Sequence, residues 1–194
     1  MNPERWRLFV AVELEDDLRR RLADAIATWR LDPRTDGLRW VEPDALHLTL
    51  AFLGATAPAR VGEIEAAMRG VAPDHPPFAL PTGRLGAFPR PGSARVVWYA
   101  VDDADGRLAS LASDLRSALD LDDADPWRAH VTVARARRRP VDVRGWIEEA
   151  SAEAPTGLLA VAAMSLVRSH VGSCPARYER LASVSLGSAS ESQP

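Results

Sequence analysis

His47-Leu48-Thr49-Leu50-Ala51-Phe52-Leu53-Gly54 and His130-Val131-Thr132-Val133-Ala134-Arg135 are two copies of one pattern, and the fold is read outward from them. Both are short apolar runs rich in β-branched or aromatic residues, which predicts strands. Side chains on a strand alternate faces with period two. His47 and Thr49 therefore share one face, while Leu48 and Leu50 take the opposite face, which suits a core. His130 and Thr132 repeat the arrangement against Val131 and Val133. Gly54 is expected to end the first strand.

The same order of elements recurs around each copy. Arg7 to Leu14 reads as a buried strand, and Glu15 to Arg30 as a helix with Leu18, Leu22, Ala25, Ile26 and Trp29 on one face. A short strand near 38–41 leads into the first copy, and Thr56 is placed to cap a helix over 58–70 striped by Val61, Ile64 and Met68. Residues 71–92, rich in Pro and Gly, read as a crossover with extended pieces at 78–80 and 84–88. Then come a strand at 95–101, a helix at 105–119 with Leu108, Leu111, Leu115 and Leu119 on one face, an acidic loop at 120–126, the second copy, and a helix near 143–150. The histidines lie 83 positions apart and the leading strands about 88, as an internal duplication predicts.

Apolar runs at 158–162, 164–168 and 178–186 read as strands completing the sheets. The expected class is α+β, with two pseudo-symmetric lobes, each a mainly antiparallel sheet with flanking helices. One bilobal domain is expected over 1–186, its first half about 5–72 and its second about 93–152 plus the C-terminal strands. Residues 187–194, small and polar, read as a disordered tail.

Composition narrows the function classes. The 194 residues are 46% hydrophobic and 26% charged, an ordinary globular balance. A net charge of −3 gives no global basic field for long duplex nucleic acid, so an anionic ligand needs a local patch. All 24 basic residues are Arg, which coding bias in an Arg- and Ala-rich genome explains better than function does. The single Cys174 permits neither an internal disulfide nor a cysteine-based zinc site. The N-terminal residues lack the apolar run of a signal peptide, and no apolar stretch is long enough to span a bilayer. A cytoplasmic protein, free of membrane and acting as a monomer, is the expectation.

Two imidazoles facing each other across a cleft suit acid–base chemistry. With an unperturbed pKa of about 6.5, one histidine can be neutral and take a proton while the other is charged and gives one. In-line attack at phosphorus places those groups on opposite sides of the phosphorus atom. Thr49 and Thr132 are then candidates to donate hydrogen bonds to non-bridging phosphate oxygens, and Arg135 to add a forked cationic contact. A basic cluster, Arg135 with Arg137, Arg138 and Arg139, is also consistent with a solvated strand end. His75 and His170, neither followed by Thr at the second position, read as structural. A metal centre is disfavoured, since each His-x-Thr offers one good ligand and no His-x-His or His-Glu-x-x-His occurs. No metal and no cofactor are expected.

These residues resemble the 2H phosphoesterase superfamily, defined by paired His-x-Thr/Ser motifs, and within it the RNA 2′,3′-cyclic phosphodiesterases, also called 2′-5′ RNA ligase-like. The similarity takes in Arg7 to Val12, Leu38 to Val41, Leu85-Gly86-Ala87-Phe88-Pro89, Trp127-Arg128-Ala129 ahead of the second copy, Ser165 to Ser169, and Tyr178. Ala129 departs from the family's usual proline before the second histidine, and 172–178 is less typical. The resemblance implies metal-independent opening of a ribose 2′,3′-cyclic phosphate to a 2′-phosphomonoester, with His47 and His130 as acid and base in an order that the sequence leaves open. It also allows 2′-5′ joining of RNA ends. RNA ends or small cyclic-phosphate nucleotides are the implied partners, with Phe52, or less directly Trp40 or Trp127, offering a base a stacking face. Alternatives are a phosphodiesterase for another small cyclic nucleotide or 2′-5′ linkage, and a non-catalytic nucleotide-binding module.

Overall fold

The computed structural model describes residues 4–121, 127–170 and 177–187. In chain order the elements are β1 (Trp6–Glu13), α1 (Asp16–Trp29), β2 (Leu38–Trp40), β3 (His47–Thr56), α2 (Val61–Val71), β4 (Phe78–Phe88) and β5 (Val96–Val101). They continue with α3 (Arg107–Ala118), β6 (His130–Ala136), α4 (Arg144–Ala152), β7 (Gly157–Val161), β8 (Ala163–His170) and β9 (Arg177–Ser185).

Apolar spacing accounts for the helices. Leu18, Leu22, Ile26 and Trp29 are the buried residues of α1, recurring at four- and three-residue steps, while Asp16 and Asp17 sit in its first turn, where the dipole favours negative charge. Leu108, Leu111 and Leu115 do the same for α3. The start of α3 is held by Asp103, whose carboxylate accepts from the backbone N–H groups of Leu108 and Ala109 at 3.0 and 2.8 Å. Thr56 caps no helix. It lies within β3, its hydroxyl donates to Leu53 O at 3.2 Å, and a 3₁₀ turn over Pro58–Arg60 precedes α2. Gly54 does not end β3 either. It takes φ +64° inside the strand, a conformation glycine adopts without a Cβ penalty.

All strands join one antiparallel sheet in the order β7-β4-β5-β6-β3-β1-β8-β9, with β2 also paired to β6. The two expected half-sheets are thus continuous, joined where β3 meets β6 at Leu48↔Val131. Strand order departs from chain order at both ends. The crossover region forms an 11-residue strand, β4, beside β5, and β7 pairs with β4. By contrast β8 and β9 return to β1, in the first half. The helices' buried residues and Leu8, Val10, Val12, Leu48, Leu50, Val97, Tyr99, Val131 and Val133 make one core on one side of this sheet. The other side carries a separate small cluster of Phe9, Ala11 and Val167, with Tyr178 against it. That second side is the one His47 and His130 face.

Candidate active site

The two His-x-Thr copies meet at their middle residues. Leu48 and Val131 are direct antiparallel partners, so a pseudo-twofold axis runs between them. Continuing that register by one residue each way sets His47 across from Thr132 and His130 across from Thr49. That register puts each histidine and the other copy's threonine at facing backbone positions. Trp127, leading into β6, ties the halves further by donating its indole N–H to Thr49 O at 3.1 Å.

Each imidazole is fixed in the same way. Nδ1 of His47 lies 2.8 Å from Ala45 O, and Nδ1 of His130 lies 2.8 Å from Arg128 O, in both cases two residues upstream. A carbonyl only accepts, so Nδ1 carries the proton and Nε2 is left with its lone pair free. Ala129 leaves this contact as short in the second copy as in the first.

A bulge follows each threonine at the same place. Against β1, Ala11 pairs with Thr49 and Val10 with Ala51, so Leu50 is the extra residue. Against β5, Trp98 pairs with Thr132 and Val97 with Ala134, so Val133 is the extra residue. Strict alternation would send Phe52 and Arg135, five positions after their histidines, to the far side of the sheet. The extra residue returns both to the histidine side, where Phe52 pairs with Phe9 and Arg135 with Val96.

Surroundings make the halves unequal. The Phe9 ring stacks on His47 at 4.6 Å between centroids, and Tyr178 meets His47 edge-on at 5.3 Å. His130 has the edge of Phe88 at 5.2 Å. Burial lowers the pKa of His47 to about 4; the Ala45 carbonyl offsets part of that, while Arg135 and His130 add to it. The pKa of His130 is lowered too, by burial first and Arg135 last, against the Arg128 carbonyl. The charge of Arg135 thus reaches both imidazoles. Its own charged form is disfavoured by partial loss of water, an effect that Tyr178 opposes and Arg39 and Arg7 reinforce.

The structure brings together His47, Thr49, His130, Thr132 and Arg135. Phe52 joins them on the same face, 52% exposed, with the Arg7 guanidinium 4.8 Å above its ring. Trp40 instead packs among Trp29 and Trp146, at 6.2 and 5.8 Å. Phe9, Phe88 and Trp98 were not foreseen. For Phe9 a signal existed: an apolar residue on the face of β1 opposite to Leu8 and Val10 needs a second apolar environment. His75, buried against Asp114 at 2.9 Å, and His170, 2.9 Å from Glu179, lie outside the site. Cys174 and most of 172–178 and 187–194 lie outside the described residues. Among the described residues no three His, Cys, Asp or Glu side chains cluster as metal ligands, and no helix is long and apolar enough to cross a membrane.

The family described as "LigT like Phosphoesterase" matches residues 12–98. An RNA 2′,3′-cyclic phosphodiesterase of Archaeoglobus fulgidus is 34% identical over 151 residues, covering 76% of this chain and 82% of the relative. One from Thermotoga maritima is 28% identical over 137 residues, 69% of this chain and 72% of the relative. Among solved structures, Escherichia coli LigT complexed with 3′-AMP superposes with a TM-score of 0.73 at 25% identity, covering 94% of this chain and 99% of that one. TT0787 of Thermus thermophilus gives 0.72 at 26% identity, covering 94% and 98%.

Proposed function

Since the chain belongs to the RNA 2′,3′-cyclic phosphodiesterases of the LigT-like 2H phosphoesterases, we propose that it opens terminal ribose 2′,3′-cyclic phosphates to 2′-phosphomonoesters with His47 as base and His130 as acid. One observation carries the reading: two imidazoles, each with Nδ1 committed to a carbonyl at 2.8 Å, flank a shared seam with Nε2 free. The difference in burial supports the assignment of roles. His47, with its pKa lowered to about 4, is neutral at pH 7 and accepts a proton.

Nε2 of His47 takes a proton from water as the water oxygen bonds to phosphorus. The P–O3′ bond breaks, and Nε2–H of His130 delivers a proton to O3′. The products are a 2′-phosphomonoester and a free 3′-hydroxyl. Thr49 and Thr132 donate to the non-bridging oxygens, and Arg135 stabilises the charge gathering there. Anionic substrate between the two rings favours the imidazolium form, which keeps His130 protonated for its role. Joining of RNA ends through a 2′-5′ bond would use the same two proton transfers, with the 5′-hydroxyl of a second RNA attacking the phosphorus of the cyclic phosphate in place of water and O3′ leaving as before. Phe52 offers a stacking face to the terminal base.

The test is an RNA ending in a 2′,3′-cyclic phosphate, with the product identified as a 2′- or 3′-monophosphate. Expected are the 2′-monophosphate, full activity in EDTA, and turnover lowered roughly 10²–10⁴-fold by either His47→Ala or His130→Ala. For the free enzyme, kcat/KM should rise as His47 deprotonates near pH 4 and fall as His130 deprotonates below its ordinary 6.5. His47→Ala should flatten the acid limb and His130→Ala the alkaline limb. Normal turnover in either variant, or loss of activity in EDTA, defeats the two-histidine reading.

A further inference from the structure

The basic run that Arg135 begins continues past the end of β6 at Ala136. Across β2, Arg39 is the register partner of Arg135, and Arg137 follows, its backbone N–H donating to Gly37 O at 2.8 Å and its Nε to Leu38 O at 3.1 Å. Arg39 and Arg137 line a groove of about 440 Å³ together with Arg30, Thr35, Asp36 and Glu42. A second groove of about 860 Å³ shares Asp36, Gly37 and Arg137 with the first and runs on past Arg138 and Arg139.

Charge is concentrated in this strip. The chain is acidic overall, and many guanidiniums elsewhere pair with carboxylates, among them Arg19 with Asp16, Arg21 with Asp17, Arg60 with Glu63 and Arg180 with Glu13. Among the described residues, Arg30, Arg39, Arg135, Arg137, Arg138 and Arg139 have no carboxylate within ion-pair distance. Asp142, on the wall of the second groove, is taken by Arg144 at 2.6 Å. Like charges left unpaired side by side are held apart only by water, which a chain of phosphates would replace. Just past the end of β6 at Ala136, Arg137, Arg138 and Arg139 follow one another, so three cations are gathered within one short segment beside Arg135.

We propose that the grooves along Arg39, Arg137, Arg138 and Arg139 carry the sugar–phosphate backbone of a single-stranded RNA whose cyclic-phosphate end occupies the site, a reading that rests on the function above. The contacts are to phosphate and bear no base preference. The substrate is therefore an oligonucleotide, and a mononucleoside cyclic phosphate fills only part of the binding surface.

The test compares a mononucleoside 2′,3′-cyclic phosphate with a six-nucleotide RNA of the same end, using wild type, R137Q/R138Q/R139Q and R138Q/R139Q. The double variant spares the Arg137–Leu38 contact, so a fold defect in the triple variant does not obscure the outcome. Expected are a kcat/KM advantage for the hexamer in wild type and its loss by about 10- to 100-fold in the triple variant, carried by KM. The mononucleoside rate should be unchanged. The salt dependence of hexamer binding should fall by about 0.7 in logarithmic slope for each contact removed. Equal effects on both substrates, or none on the hexamer, overturn the proposal. Binding of a hexamer with an unreactive 3′-hydroxyl end, read by fluorescence anisotropy, separates the two claims. If wild type turns over neither substrate, the phosphodiesterase reading fails, while an Arg-dependent affinity still upholds the groove and an Arg-independent one rejects it.

Discussion

Nδ1–H donation to a carbonyl two residues upstream orients each histidine and leaves its Nε2 lone pair free. The aromatic walls then set the two apart. Phe9 and Tyr178 take water from His47, and burial drives its pKa to about 4. Stability carries the same signature. Above pH 6.5 His47 is neutral folded or unfolded and contributes no slope. Between 6.5 and 4 the unfolded chain binds a proton that the folded chain resists, so stability falls as pH falls. Below 4 both forms are charged and the slope from this residue ends. The loss is on the order of 3 kcal/mol. Urea unfolding of wild type and His47→Gln at pH 7 and pH 4.5 should show a smaller pH-dependent loss in the variant. An equal loss in both would mean that His47 is not desolvated.

At the scale of elements, the matched bulges after Thr49 and Thr132 convert two ordinary strands into site-bearing ones. Strand β4 contributes a less visible device. Gly86 is the register partner of Trp98, and a Cβ on it would stand 2.1 Å from the indole ring, so only glycine lets the ring lie flat against β4. Trp98 in turn is the partner of Thr132. Gly86→Ala should therefore displace the indole, destabilise the fold by about 1–3 kcal/mol and lower turnover. Adding Trp98→Leu to Gly86→Ala should recover much of the stability, as a double-mutant cycle would record. Thermal melts of the single and double variants decide this; additive losses would show that the ring and the glycine act independently.

Taken whole, the molecule carries its two His-x-Thr strands in one continuous sheet, and the seam between them is narrow. Leu48, fully buried, faces Val131 there, and the spacing of the histidines depends on that contact. Leu48→Ala should cost about 2–5 kcal/mol and reduce turnover although no reacting group is touched. Leu48→Met, near in volume, should spare both. Full turnover in a folded Leu48→Ala protein would show that the seam does not set the site. The His-x-Thr pairs, the core faces and most of the strand and helix order were legible in the chain, because hydrophobic periodicity and local motif spacing are properties of neighbouring residues. Arg135 and Phe52 were named by pattern, but strict alternation places them on the wrong face. Only pairing with β5 and β1 creates the bulges that return them. The union of two half-sheets, the return of β8 and β9 to β1, and the unequal burial of two identical motifs were likewise decided by tertiary structure. Each depends on which distant strands become neighbours, and a pKa or a register exists only once those neighbours are in place.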